Sequence, residues 1–196
     1  MSPRVLEDSV HPRLSLGASG RPLNFTVRPQ MTASVRLAHA SDAPSLTDIR
    51  IATSAAMADP AEETPQILPL DQNYFARLID QRPGLVYVAE SHGVVVGYLA
   101  LHRAAHPAVS ARCPIQLWQL YVAPTFHGSG VANQLMSTAM HHAHAHQHDV
   151  MWLGVSEHNQ RAMAFYRKQG FAAVGLFEID GDGHAHQDVV MSCSVT

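Results

Sequence analysis

Between Leu117 and Ala143 the order of apolar and polar residues changes its period. Trp118, Leu120 and Val122 alternate with Gln119 and Tyr121, as the two faces of a strand require, and Pro124 lacks the N–H that would continue a ladder. From Val131 onward the period lengthens. Val131, Leu135, Met136, Ala139, Met140 and Ala143 recur at helical steps, so a helix begins just after a turn that Gly128 and Gly130 make possible. The first N–H groups of a helix are unpaired and carry about half a positive charge, and with the loop amides they form a nest for an anion, above all a phosphate. The loop lacks the Gly-Lys-Ser/Thr of a triphosphate-binding loop. It also lacks the third glycine and following acidic residue of a dinucleotide fold. A plain strand-to-helix connection is the alternative reading.

The same patterning divides the rest of the chain. Met1 to Gln30, with Pro3, Pro12, Pro22 and Pro29, has no period and reads as an irregular extension, residues 1-30, ahead of one domain spanning 31-196. Ser41 is the expected cap of a first helix, with Pro44 in its first turn and Leu46, Ile49 and Thr53 carrying it to Met57. Pro60 ends it. Ala61 to Pro69 reads as a loop, and Asp71 as the cap of a second helix through Tyr74, Phe75, Leu78 and Ile79. Leu85 to Glu90 and Val94 to Leu101 flank Ser91-His92-Gly93 as a β-hairpin. Ile115 to Val122 and the stretch around Trp152 are further strands. Asn159 to Lys168 is a helix with Ala162, Phe165 and Tyr166 on its apolar face and Gly170 behind it. Two last strands, Phe171 to Ile179 and Gln187 to Cys193, bracket a turn at Asp180-Gly-Asp-Gly183.

Composition narrows the function. The chain has 196 residues, enough for one well-packed domain, and a formal charge of -3 from 13 basic and 16 acidic residues, which gives no field for nucleic acid. Cys113 and Cys193 lie far apart and match neither a zinc nor a disulfide framework. No leader-like apolar region opens the chain, and no run approaches the ~18 apolar residues of a membrane span, so a soluble cytoplasmic protein is expected. His141 to His148 puts His142 four residues before His146 and His144 four before His148. No Asp, Glu or Cys joins them in register, so a solvated helix end is expected there and a metal is not. Asp180 to Gly183 lacks the further acidic ligands of a calcium loop.

The motifs carry a resemblance. His127 to Ala132 is similar to the Gln/Arg-x-x-Gly-x-Gly/Ala motif of the GCN5-related N-acetyltransferases (GNAT), preceded by their Leu-Tyr-Val-x-Pro strand. Trp152-Leu-Gly-Val and Glu157 to Phe171 resemble that family's second signature, and Val35-Arg-Leu-Ala with Ser41-Asp42-Ala-Pro its first strand and helix entry. The resemblance implies an α/β GNAT (acyl-CoA N-acyltransferase) fold, with a mixed, mostly antiparallel sheet of about seven strands flanked by helices. It also implies acetyl-CoA as co-substrate. The pyrophosphate would be held at His127, Gly128, Ser129, Gly130, Val131 and Ala132, and the pantetheine arm along the main chain of Leu120, Tyr121 and Val122. Asn159, Phe165 and Tyr166 would complete the contacts. His127 departs from the family's Gln or Arg; a neutral imidazole donates one hydrogen bond and a protonated one adds charge, which predicts weaker or more pH-dependent binding.

Acetyl transfer from a thioester needs a neutral amine, oxyanion stabilisation and a proton for the departing thiolate. Tyr166 matches the family's general acid; a core tyrosine is the alternative. Asn159 matches a pantetheine ligand, or is simply a helix cap. Relatives often place a carboxylate base on the central strand, where this chain has Gln116 and Gln119, and no Asp or Glu occurs between His102 and His148. The base is then Glu90, Glu157 or a chain of waters, with Glu90 equally readable as a solvent-facing strand residue. The C-terminal part resembles the bacterial polyamine acetyltransferase branch, and Asp59, Glu62, Glu63 and Glu157 suit a small cationic amine. A peptide or protein N-terminus, or a non-catalytic acyl-CoA-binding regulator, are the alternatives. Relatives often pair, so a homodimer is among the expectations.

Overall fold

A computed structural model describes residues 33–57, 73–179 and 186–196. The readings of residues 1-30, of Ala61 to Pro69, of Asp71 as a cap and of the Asp180 to Gly183 turn fall outside the described residues. Within them run β1 (Ser34–Leu37), α1 (Ala43–Met57), α2 (Tyr74–Gln81), β2 (Val86–Ser91), β3 (Val94–His102), β4 (Pro114–Val122), α3 (Val131–Ala145), β5 (Val150–Ser156), α4 (Gln160–Lys168), β6 (Ala172–Ile179) and β7 (His186–Ser194). The strands form one 7-stranded sheet in the order β1-β2-β3-β4-β5-β7-β6. Every pairing is antiparallel except β4 with β5. This is the expected mixed, mostly antiparallel sheet between helices.

Local chemistry explains the joints. The β2–β3 hairpin turns through His92 and Gly93, whose φ values of 51 and 78 are the paired left-handed angles that match strand twist. Ser41 does not cap α1. A single 3-10 turn at Ala40–Asp42 precedes the helix, and Asp42 makes the bonds instead: its carboxylate accepts from the His39 N–H at 2.8 Å and from both arms of the Arg36 fork at 2.7 and 3.0 Å. Those three bonds fix the turn that leads into α1 and tie it to β1. Arg36 holds the pKa of Asp42 below the usual carboxylate range, chiefly through that bidentate bond.

Two helical layers cover the sheet. On one face, Val131, Leu135, Met136, Ala139 and Ala143 of α3 and Met163 of α4 pack on Leu99, Ile115, Leu117, Met151, Leu153 and Met191. At about 1.5–3 kcal/mol for each large aliphatic side chain taken from water, this layer anchors the fold. On the other face, Leu46 and Ile49 of α1 and Phe75 and Leu78 of α2 pack on Val86, Val88, Tyr98 and Ala100.

The central strand parts from its parallel neighbour. β4 pairs with β5 only at Pro114, Ile115 and Gln116, opposite Val150, Met151 and Trp152, while its pairing with β3 runs on to Val122. The gap opens at a bulge: Ala100 faces Gln119 and Leu101 faces Leu117, leaving Trp118 without a partner on β3. A bulge shifts the alternation. Trp118 therefore does not share the buried face of Leu120 and Val122, as a regular strand would have it. It is 37% exposed, with the Arg82 guanidinium 4.7 Å above its ring.

Candidate active site

Where β4 and β5 separate, a cavity of about 680 Å³ opens between the end of β4, the turn before α3, and α4. The turn is built for close approach. Gly128 and Gly130 have φ of 81 and 95, and a Cβ placed on Gly130 would meet nothing within 4 Å. Glycine is thus required at position 130 by the left-handed angle, not by crowding from the protein, and the space beyond it is free for a ligand. The first turn of α3 leaves its N–H groups over: Gln134 donates to the Gly130 carbonyl at 3.1 Å, and the amides of Gly130, Val131 and Ala132 make no backbone bond among the described residues.

The structure brings together most of the residues singled out above. Leu120, Tyr121 and Val122 line the cavity on the strand side, His127, Gly128, Ser129, Gly130 and Ala132 at the turn, and Asn159, Phe165 and Tyr166 on α4 and its entry. Val131 is outside the lining, since its side chain is 1% exposed within the core beneath the turn; only its amide is turned to account. Ser129 also uses its side chain internally, donating to the Phe126 carbonyl at 2.6 Å. Asn159 is a true helix cap, its Oδ1 accepting from the Ala162 N–H at 3.0 Å, while it borders the cavity as well.

His127 is turned toward the fold. Its Nε2–H donates to the Val122 carbonyl at 2.9 Å, and its Nδ1 accepts from the Arg161 guanidinium at 3.1 Å. Arg161 on α4 thus brings a guanidinium beside position 127. Arg161 and Lys168 both line the cavity and no Asp or Glu does, so its electrostatics favour a polyphosphate. Neither cation stood out in the sequence; the only signal was that α4 carries Arg161 and Lys168 one helical face away from its core residue Met163. Thr53 of α1 was also missed as a wall residue, being read only as a helix position.

Tyr166 is half-buried between Phe165 and Phe171, with ring centroids 5.4 and 5.8 Å away, and its hydroxyl makes no hydrogen bond among the described residues. Burial, with a smaller push from Tyr121, raises its pKa well above that of an ordinary phenol. The phenol is held neutral. The two candidate carboxylates stand elsewhere. Glu90 is on β2, its Oε2 bonded to the Arg36 Nε at 2.9 Å, and it does not line the cavity. Glu157 is exposed in the turn before α4, 3.8 Å from the His158 Nε2, and is likewise outside the lining.

The sequence model of the Acetyltransferase (GNAT) family matches residues 50–171, a span that runs from α1 through this cavity to the end of α4. The chain belongs to the GNAT acetyltransferase family. An uncharacterized N-acetyltransferase of Mycobacterium tuberculosis is 33% identical over 117 residues, covering 60% of this chain and 71% of the relative. Among solved structures, yncA from Salmonella typhimurium with its cofactor acetyl-CoA superposes with a TM-score of 0.66 at 20% identity, covering 84% of this chain and 95% of that one. The ribosomal-protein-alanine N-acetyltransferase from Brucella melitensis superposes with a TM-score of 0.64 at 25% identity, over 82% and 99%. This GNAT protein is an acetyl-CoA-dependent N-acetyltransferase that acts on an amine acceptor. The cavity lining runs from Lys168 on α4 to Leu120, Tyr121 and Val122 at the strand gap. No helix among the described residues is long and apolar enough to cross a membrane.

Proposed function

We propose that acetyl-CoA lies along the β4–α4 gap, that Tyr166 is the proton donor at its sulfur, and that the acceptor is a small primary amine. The observation that carries this reading is the cavity itself, which joins the amide nest at Gly130 to the free Tyr166 hydroxyl. The unpaired amides of Gly130, Val131 and Ala132 bind the pyrophosphate, Arg161 and Lys168 neutralise it, and the edge of Leu120 to Val122 orients the pantetheine arm. Bound acetyl-CoA supplies the thioester acetyl group: a C–N bond to the amine forms, the C–S bond breaks, and one proton passes overall from nitrogen to sulfur.

Tyr166 holds its proton where the sulfur would lie. Because burial disfavours a phenolate, donation to sulfur is completed only as the phenol regains a proton, so the acceptor nitrogen's proton must return through water. Neither Glu90 nor Glu157 faces the cavity, which leaves that water path as the base this reading favours. The small cationic acceptor inferred from acidic residues has thin support here: Asp59, Glu62 and Glu63 lie outside the described residues and Glu157 points to solvent. A cytoplasmic location belongs to the same reading, since Cys113 and Cys193 are free thiols and fit a reducing compartment. The test is release of coenzyme A thiol from acetyl-CoA over a panel of amines. Thiol release that depends on an added amine supports transfer; acetyl-CoA binding with no amine-dependent release would leave a binding protein only.

A further inference from the structure

The opposite face of β4 has a different chemistry. Behind the bulge, Gln119 and Tyr121 project toward α1 and α2, and Tyr121 is also a wall of the cavity. Arg50 of α1 places its guanidinium 6.0 Å from the Tyr121 ring centroid and 5.9 Å from that of Tyr74 on α2, and it makes no ion pair among the described residues. Gln119 Nε2 donates to the Tyr74 hydroxyl at 3.1 Å, which leaves its Oε1 buried without a donor. Tyr98, stacked at 5.4 Å beneath Tyr121, also keeps a buried hydroxyl unpartnered. At the far end of α2 the pattern recurs with Arg82 over Trp118.

Buried polar atoms without partners cost stability, and a guanidinium parked over aromatic faces keeps its planar fork free. The described residues of this cluster include cations, phenols and an amide, and no carboxylate. A diamine or longer polyamine would bring like charge to Arg50. A fork of this kind matches a carboxylate in two parallel bonds.

We infer that the acceptor is an amine whose molecule also bears a carboxylate, with Arg50, beside the cavity wall at Tyr121, holding the carboxylate. This rests on the reading of the cavity as the acetyl-transfer site. It narrows the acceptor to amino-acid-like compounds, and it makes Arg50 a specificity residue supplied by α1, an element apart from both signature motifs.

The experiment compares acceptors that differ only in the carboxylate: lysine against cadaverine, and methionine against its decarboxylated amine. The carboxylate member of each pair should be preferred by roughly tenfold or more in kcat/KM, the usual worth of a charge-assisted pair. Arg50→Gln should erase that preference, lowering kcat/KM for the amino acid about ten- to a hundredfold through KM, while calorimetry shows acetyl-CoA affinity and thermal melting shows folding close to the parent. Equal or better use of the decarboxylated amine overturns the inference, as does an equal loss for both members in Arg50→Gln. Transfer to neither, with acetyl-CoA still bound, overturns it too. If acetyl-CoA itself does not bind, the reading of the cavity fails first, so the two failures are distinguishable.

Discussion

The two sides of β4 solve different problems with different parts of the chain. Toward α3 and α4 the site is assembled, Thr53 apart, from two stretches, residues 120–133 and 159–168, with backbone amides beside the left-handed angle of Gly130. Toward α1 and α2 it is assembled from side chains of separate elements: Arg50 from α1, Tyr74 from α2, Tyr98 from β3, and Gln119 and Tyr121 from β4. A phosphate is common to every reaction this family runs, and backbone geometry holds it well. An acceptor differs from enzyme to enzyme, and exchangeable side chains are the means to change it.

The sharpest break of that comparison is at the point where the two sides meet. Tyr166→Phe removes one hydroxyl and keeps the ring between Phe165 and Phe171, so turnover should fall roughly 10²- to 10⁴-fold with little change in acetyl-CoA affinity or melting temperature. The raised pKa adds a second signature. A phenol that stays protonated gives no loss of activity toward alkaline pH up to about 10, where an unperturbed tyrosine would begin to ionise. Near-parent turnover in the variant, or an alkaline decline that Tyr166→Phe abolishes, would return Tyr166 to a packing role or to an ordinary phenol respectively.

The amide nest is the next test. Gly130→Ala puts a methyl into open space and imposes the left-handed backbone cost of about 1–2 kcal/mol on folding, so it should lower the melting temperature and change acetyl-CoA affinity little. Gly130→Asp adds a negative charge facing the polyphosphate and should lose about a hundredfold or more. Calorimetry of the two variants separates conformation from charge. If the aspartate binds as well as the alanine, the phosphates do not sit at this turn.

A smaller effect falls on the side chains of the coenzyme side. Arg161 is exposed and bonds His127 at 3.1 Å, so its interaction with a phosphate is partly screened. Arg161→Ala should weaken acetyl-CoA binding about three- to tenfold at low salt, with the difference shrinking as ionic strength rises. A loss that is the same at all salt concentrations would assign Arg161 to positioning His127 rather than to charge.

How much of this could be read from the chain follows from the same contrast. The strand, turn and helix from Leu117 to Ala143 were legible because period and glycine placement are local properties, and the Asn159 cap was legible because its partner lies three residues on. The bulge at Trp118 was not, since it shows only as a mismatch with β3, whose register no short window contains. The entry to α1 was misread for a related reason: Asp42 ties the preceding turn to β1 through Arg36, which lies outside the local window. Arg50 and Arg161 are single letters on amphipathic helices, and only the tertiary placement over Tyr121 or beside His127 gives them a role. Glu90 was singled out as a carboxylate near the central strand, and its ion pair with Arg36 on the sheet's far side is equally invisible in sequence.

The smallest expected effect lies outside both sides of the site, in the histidine run at the end of α3. His142 is buried, its Nδ1 bonded to the Tyr87 hydroxyl at 2.9 Å and its Nε2 unpartnered, with His146 stacked 4.1 Å away. Burial first, then His146, His148 and Arg103, lowers its pKa from 6.5 to about 4. In the unfolded chain the imidazole takes a proton near the ordinary value, and in the fold it refuses one until the pH is far lower. The unfolded state therefore binds more protons between about pH 6.5 and 4, so stability is full above that window and declines as pH falls through it. With the partial access of water considered, the decline should be on the order of 1–2 kcal/mol. His142→Gln cannot titrate, so its melting temperature should depend less steeply on pH across the same window, and acetyl-CoA affinity at neutral pH should match the parent because this end of α3 is remote from the Gly130 turn. Parallel pH profiles for parent and variant would show that the ring titrates normally and that the run at His141 to His148 is solvated throughout.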